Sequence, residues 1–161
     1  MEHSRIVLAG KAASGKDYLR RKLASKGFVY GISYTSRPPR PNEADGIDYH
    51  FVSRERFEEL ISEGFFYEHV EFNGWLYGTA KYQWNGGCDV FIMTPHGISK
   101  IDPRDRERTF VIYVDIPIEV RRARLAQRND SNDQTERRIA ADESDFEGFT
   151  DFDVRITDPN F

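Results

Sequence analysis

The sequence predicts one α/β domain: a parallel sheet flanked by helices, with a mixed α+β subdomain inserted in it. Three observations carry that prediction. The run Arg5-Ile6-Val7-Leu8-Ala9 is short, apolar and rich in β-branched residues, and it leads through a glycine-bounded loop into a stretch with helical spacing. Two later apolar runs, Asp89–Thr94 and Phe110–Ile116, read as buried strands, the second continuous enough to be covered on both faces as in a parallel sheet. Between these units, residues 33–80 read mostly as short strands separated by turns.

The first unit has the strongest local signal. Gly10 to Lys16 satisfies G-x-x-x-x-G-K between a strand and a helix, the context of a phosphate-binding loop and hence of a P-loop NTPase-type sheet. Glycines let successive backbone N–H groups curl inward, the helix that follows adds the positive end of its dipole, and Lys16 adds a full charge. Gly10, Lys11, Ala12, Ala13, Ser14, Gly15, Lys16 and Asp17 are therefore the candidate polyphosphate binders. Asp17 stands where a hydroxyl residue usually meets Mg²⁺. A carboxylate is itself a hard ligand for that ion, so Asp17 is the candidate metal residue. In Tyr18–Ala24, Tyr18, Leu19 and Leu23 should share the buried side of the helix, which Lys26-Gly27 closes.

Composition bounds the rest. The chain has 161 residues, 39% hydrophobic and 31% charged, with a net charge of −4, which fits a single domain with its own core. That balance argues against bulk nucleic-acid or membrane binding. No apolar run approaches a membrane span and no signal peptide precedes the first strand, so the expected location is cytoplasmic. The single cysteine, Cys88, excludes an internal disulfide and fits a small, half-buried side chain. Oligomeric state is expected to be monomer or homodimer.

After the first helix, Phe28–Ser33 reads as a strand. Pro38, Pro39 and Pro41 then impose an extended, polyproline-like rod with about three residues per turn, so Arg37 and Arg40 project from the same side. Two preorganised guanidinium forks suit a phosphate. A solvated basic turn would read the same way. The segment Asn42–Val52 is a polar turn followed by a short strand, Ser53 caps a helix running to Gly64, and Phe65–Phe72 and Trp75–Thr79 are strands joined by a turn at Asn73-Gly74.

The ordered set Ser33-Tyr34-Thr35-Ser36-Arg37-Pro38-Pro39-Arg40-Pro41, Asp45-Gly46-Ile47-Asp48-Tyr49-His50-Phe51-Val52-Ser53, Glu68 and Leu76-Tyr77-Gly78-Thr79, after the phosphate loop, resembles the guanylate kinase family. The resemblance implies that residues 33–80 bind a nucleoside monophosphate. Ser33, Arg37, Arg40 and Tyr49, with Tyr77 nearby, would hold its phosphate, and Glu68 and Thr79 would read guanine. Carboxylate chemistry supports the last point: guanine offers two adjacent donors, N1–H and the 2-amino group, to an acceptor-only carboxylate, whereas adenine presents an acceptor there. Taken singly, Glu68 reads equally as a solvated strand residue, and Tyr49 and Tyr77 as core aromatics.

In the second half, Asp89–Thr94 ends in Met93-Thr94 and a turn at Pro95-His96-Gly97, without the acidic residues that end the family's matching strand. Asp89 lies at the wrong end to replace them, which leaves Asp17 to compensate. The form Lys-x-x-Ser-Gly-Lys-Asp is similar to loops of some phage deoxynucleoside monophosphate kinases and of phosphomevalonate kinases. Pro117 should open the next helix at its first position. That helix carries Arg121, Arg122, Arg124 and Arg128, a polar loop Asn129–Asp133 follows, and Arg137-Arg138 lie on another helix. By composition this is a solvated helical hairpin. By resemblance it is a lid in which Arg128 and Arg138 grip the phosphates in flight, with Arg124 and Arg137 in reserve. Phe152–Asp158 is the last strand, and the C-terminal helix usual in the family does not follow.

The expected organisation is a core of 1–32, 81–123 and 139–161, an acceptor subdomain of 33–80 and a lid of 124–138. The expected activity is ATP- and Mg²⁺-dependent phosphorylation of GMP or dGMP, with Lys16, Arg37, Arg128 and Arg138 as catalytic residues. Alternatives are a kinase of another (deoxy)nucleoside monophosphate, a ribose-bisphosphate-type kinase, or an inactive protein-interaction module.

Overall fold

Along the chain run β1 (Arg5–Gly10), α1 (Lys16–Ser25), β2 (Tyr34–Thr35), β3 (His50–Phe51), α2 (Arg54–Ser62), β4 (Phe66–Phe72) and β5 (Trp75–Ala80). There follow α3 (Lys81–Asn85), β6 (Val90–Ile92), α4 (Pro95–Ser99), α5 (Pro103–Arg106), β7 (Thr109–Val114), α6 (Ile118–Gln127), α7 (Asn132–Phe146) and β8 (Val154–Ile156). The structure, a computed structural model, describes residues 4–128 and 132–161.

The larger sheet has the order β6-β1-β7-β8, and every pairing in it is parallel. β1 lies inside it because its residues are apolar toward both faces. Leu8 packs with Leu19, Val90, Val114 and Ile116 on one face, while Val7 and Ala9 meet Trp84, Phe91, Val111 and Tyr113 on the other. The phosphate loop leaves the carboxyl end of this central strand, where open parallel sheets place their ligands.

The smaller sheet, β3-β2-β5-β4, lies wholly within 34–80 and has its own core of Phe57, Leu60, Phe66 and Leu76. Phe57 is fully buried and stacks on Phe66 at 4.4 Å between ring centroids. Burying such a ring contributes about 1.5–3 kcal/mol, enough to hold α2 on this sheet. Ser53 caps α2, its hydroxyl accepting from Arg56 N at 3.1 Å. Asn73 and Gly74 both take positive φ, 52° and 82°, which makes the tight hairpin the sequence predicts.

Several local expectations need correction. Phe28–Ser33 is not a strand: it makes one parallel bridge, Tyr30 to Val90, at the sheet edge. Gly31 explains the close approach there, since a Cβ would stand 2.5 Å from the Phe91 ring. The short strand ending the Asn42–Val52 segment is His50–Phe51, and the last strand shortens to Val154–Ile156. Pro95-His96-Gly97 is a helix rather than a turn, because the Thr94 hydroxyl accepts from Gly97 N at 3.1 Å and Pro95 sits in its first turn. Pro117 is extended, with ψ 143°, and flanks α6 instead of opening it. Tyr18 is exposed and leaves the α1 core face, turning its ring edge-on to Phe161. In the predicted loop 129–133, residues 132 and 133 belong to α7, and 129–131 lie outside the described residues.

Candidate active site

The phosphate loop is shaped by close packing. A Cβ on Gly10 would stand 2.5 Å from Ser14 Oγ and 2.9 Å from Val114 O. Gly15 takes φ 101° as the residue preceding α1, a conformation that other residues adopt only with strain. Lys16 Nζ donates to Gly10 O at 2.5 Å. Burial pushes its pKa down, while Asp142 and Asp17 pull it back up.

Lys16, Ser14, Gly15 and Asp17 line a cavity of about 470 Å³, and its facing wall carries Arg37, Arg40, Tyr49 and Tyr77. Arg124, Arg128 and Arg138 complete it from α6, from the residue after it, and from α7. Ala12 and Ala13 lie along the same wall. Arg37 lies beneath Tyr49, its guanidinium carbon 5.2 Å from the ring centroid, and donates from Nη1 and Nη2 to the two oxygens of Glu43 at 2.8 and 2.9 Å. Burial alone would lower the Arg37 pKa, but the bond to Glu43 more than reverses this. Arg40 N donates to the same carboxylate at 2.8 Å. One side chain therefore sets the geometry of the proline-spaced arginine pair. Burial pushes the Tyr49 hydroxyl up to about 12, so it remains a neutral donor.

A second cavity, about 120 Å³, continues from the first and shares Lys16, Tyr49, Tyr77 and Arg138 with it. Ser33 and Glu68 line it, with Gly10 at the loop end. A register shift between Phe66 and Glu68 sets Glu68 opposite Thr79 across β4 and β5, and Thr79 Oγ1 donates to Glu68 Oε1 at 2.6 Å. The other oxygen stays close to Gly97, where a Cβ would come within 2.9 Å of it. Glu68 is only 6% exposed, and burial raises its pKa. A carboxylate so held can offer its acceptors to two adjacent donors.

Two predicted residues stand elsewhere. Lys11 does not line either cavity; its Nζ pairs with Glu143 at 3.1 Å. Thr79 lies behind Glu68 and orients it rather than lining the cavities. Asp17 does face the first cavity, with its side chain 67% exposed and Arg20 at 3.4 Å. Mg²⁺ usually takes one or two protein carboxylates together with substrate phosphates and waters. An exposed carboxylate beside a phosphate loop fits that donor set, and among the described residues no cluster of three or more His, Cys, Asp or Glu makes a ready-built cage.

Sequence reasoning missed Glu43, Asp142 and Asp145. Asp142 is 5% exposed and accepts from Ala12 N at 2.8 Å, and both aspartates line the second cavity. Burial raises the pKa of each. For Asp142 the signal was periodicity: Thr135, Ile139, Asp142 and Phe146 form the buried stripe of α7, and an Asp on a core stripe requires a partner. No helix among the described residues is long and apolar enough to cross a membrane.

A family model described as guanylate kinase matches residues 2–161. A guanylate kinase of Sus scrofa is 36% identical over 152 residues, spanning 88% of this chain and 76% of that protein. One of Homo sapiens is 34% identical over 94% of this chain and 83% of its own length, and one of Rubrobacter xylanophilus is 34% identical over 97% and 86%. The crystal structure of guanylate kinase from Anaplasma phagocytophilum superimposes with a TM-score of 0.71 over 99% of this chain and 79% of that one, at 23% identity, a likeness of fold.

Proposed function

The chain belongs to the guanylate kinase family, and on that basis we propose that it transfers the γ-phosphoryl group of ATP to GMP or dGMP, giving ADP and GDP or dGDP. The observation that carries this reading is the continuity of the two cavities, with Lys16 at their junction, the Arg37–Arg40 pair on the facing wall and Glu68 at the far end.

In this reading the loop amides and Lys16 hold the donor phosphates, and Asp17 holds the Mg²⁺ that arrives with ATP. When bound, that ion supplies positive charge to the phosphate oxygens. Arg37, Arg40, Tyr49 and Tyr77, with Ser33, fix the acceptor phosphate, and Glu68, oriented by Thr79, takes the guanine donors. An acceptor phosphate oxygen attacks the γ-phosphorus in line, and the bond to the β,γ-bridging oxygen breaks with its electron pair leaving on ADP. The acceptor is already an anion, so no general base is needed. Arg128 and Arg138, from a lid spanning 124–138, stabilise charge on the transferring group and exclude water as the lid closes.

The residues favour this over the alternatives. A sugar-phosphate kinase has no use for a buried base-reading carboxylate, and an inactive module has no use for Lys16 and both lid arginines together. The test is a coupled ADP-release assay with MgATP against GMP, dGMP, AMP, dAMP, CMP and UMP. Turnover confined to the guanine nucleotides is the expected result, and equal turnover of AMP and GMP would remove Glu68 from its role.

A further inference from the structure

Ala13 is one of two non-glycine residues with positive φ among those described, at 60°, and it lies inside the phosphate loop. Ser14 N donates to Lys11 O at 3.2 Å, which closes a four-residue turn with Ala13 at its third position. Turns with positive φ at that position normally use glycine or asparagine there. An alanine holds such a conformation only when its surroundings over-determine it.

Those surroundings come from both arms of the helical hairpin. On the amino side of Ala13, Ala12 N donates to Asp142 Oδ2 of α7 at 2.8 Å. On its carboxyl side, Ala13 O accepts from Arg124 Nη1 of α6 at 2.9 Å. The Ala13 side chain is buried against Leu125 and Ile139, one from each helix. Asp142 is itself buried, and it stands one helical turn after Arg138, which reaches the same cavity.

We propose that Asp142 is a positioning residue for phosphoryl transfer: by taking the Ala12 amide it latches the Lys11–Ser14 turn in its left-handed form and so fixes the loop amides and Lys16 against the lid helix that carries Arg138. The latch acts through a hydrogen bond and a backbone conformation. Its loss is therefore compensated by any change that makes the left-handed conformation easy.

That gives a specific test in steady-state kinetics, with activities normalised to folded protein by thermal melting. Asp142→Ala lowers kcat about tenfold, the factor one strained residue represents, and changes KM for GMP less than about twofold. Asp142→Asn keeps an oxygen to accept from the Ala12 amide and loses less than about threefold. In the Ala13→Gly background, the loss caused by Asp142→Ala shrinks to less than about threefold, because glycine takes positive φ freely. The proposal is overturned if Asp142→Asn is as damaging as Asp142→Ala, or if the loss is the same in both backgrounds. Should Asp142→Ala fail to fold, the asparagine variant decides alone, a tenfold loss counting against the latch. The inference rests on the loop as the donor site. Wild-type turnover of GMP in the same assay separates its failure from a failure of that reading.

Discussion

Glu43 closes on Arg37 with both carboxylate oxygens, at 2.8 and 2.9 Å, and with one of them also takes the Arg40 amide. The proline rod is thus cross-braced by a residue that does not line the guanine end of the site. Charge-assisted bonds to a buried arginine are worth about 1.5–3 kcal/mol each. Glu43→Gln should therefore raise KM for GMP about tenfold while leaving KM for ATP within a factor of about two. Steady-state kinetics with each substrate varied in turn checks this, and an unchanged KM for GMP would show that Arg37 needs no brace.

Glu68 should trade stability for selectivity. Burial raises its pKa, so the folded chain keeps this proton at pH values where the unfolded chain has released it. The resulting penalty is absent below the ordinary value of 4.5 and grows as pH rises through the raised folded value. Glu68→Gln removes the penalty. Its Tm should exceed wild type by about 2–4 °C near neutral pH, with the gain fading toward pH 4. The same variant should lose discrimination between GMP and AMP. Melting curves across pH together with the nucleotide panel test both halves.

The reach of the sequence was uneven, for physical reasons. Local chemistry was legible: the Gly10–Lys16 loop, the Ser53 cap and the Asn73-Gly74 turn each depend on a few neighbouring residues. Arg37, Arg40, Tyr49 and Tyr77, singled out by the ordered motifs of 33–80, line one cavity. Partners distant in sequence were not legible. Asp142 meets Ala12 across 130 positions, and only the tertiary fold brings them together. Phe28–Ser33 failed as a strand because, at the sheet edge beside β6, it forms a single bridge, to Val90. His96 lies in α4 rather than in a turn because the Thr94 hydroxyl caps that short helix.

Lys16 should be indispensable for turnover and dispensable for folding. It reaches back to Gly10 O, and in the proposed reading it supplies the charge nearest the donor phosphates. Lys16→Met should lower kcat by about 10²–10³, the loss typical of removing one preorganised electrostatic group, and leave the circular dichroism spectrum unchanged. Turnover within tenfold of wild type would place the donor phosphates elsewhere.

Asp17 presents its carboxylate to the first cavity from an exposed position, loosely paired with Arg20 at 3.4 Å, and is the proposed metal residue. Asp17→Asn should raise the Mg²⁺ concentration for half-maximal velocity at fixed ATP by about tenfold, because a neutral amide is a weaker ligand for a hard cation. Titration of Mn²⁺ in the presence of a non-hydrolysable ATP analogue, followed by electron paramagnetic resonance, reads the same change without turnover. An unaltered metal dependence in both measurements would assign the ion to the phosphates and water alone.

The most direct measurement is a crystal structure of the protein soaked with GMP. The account predicts the nucleotide's phosphate between Arg37, Arg40 and Tyr49, with its guanine edge on the Glu68 carboxylate. A phosphate bound away from Arg37 and Arg40, or a base turned away from Glu68, would contradict it.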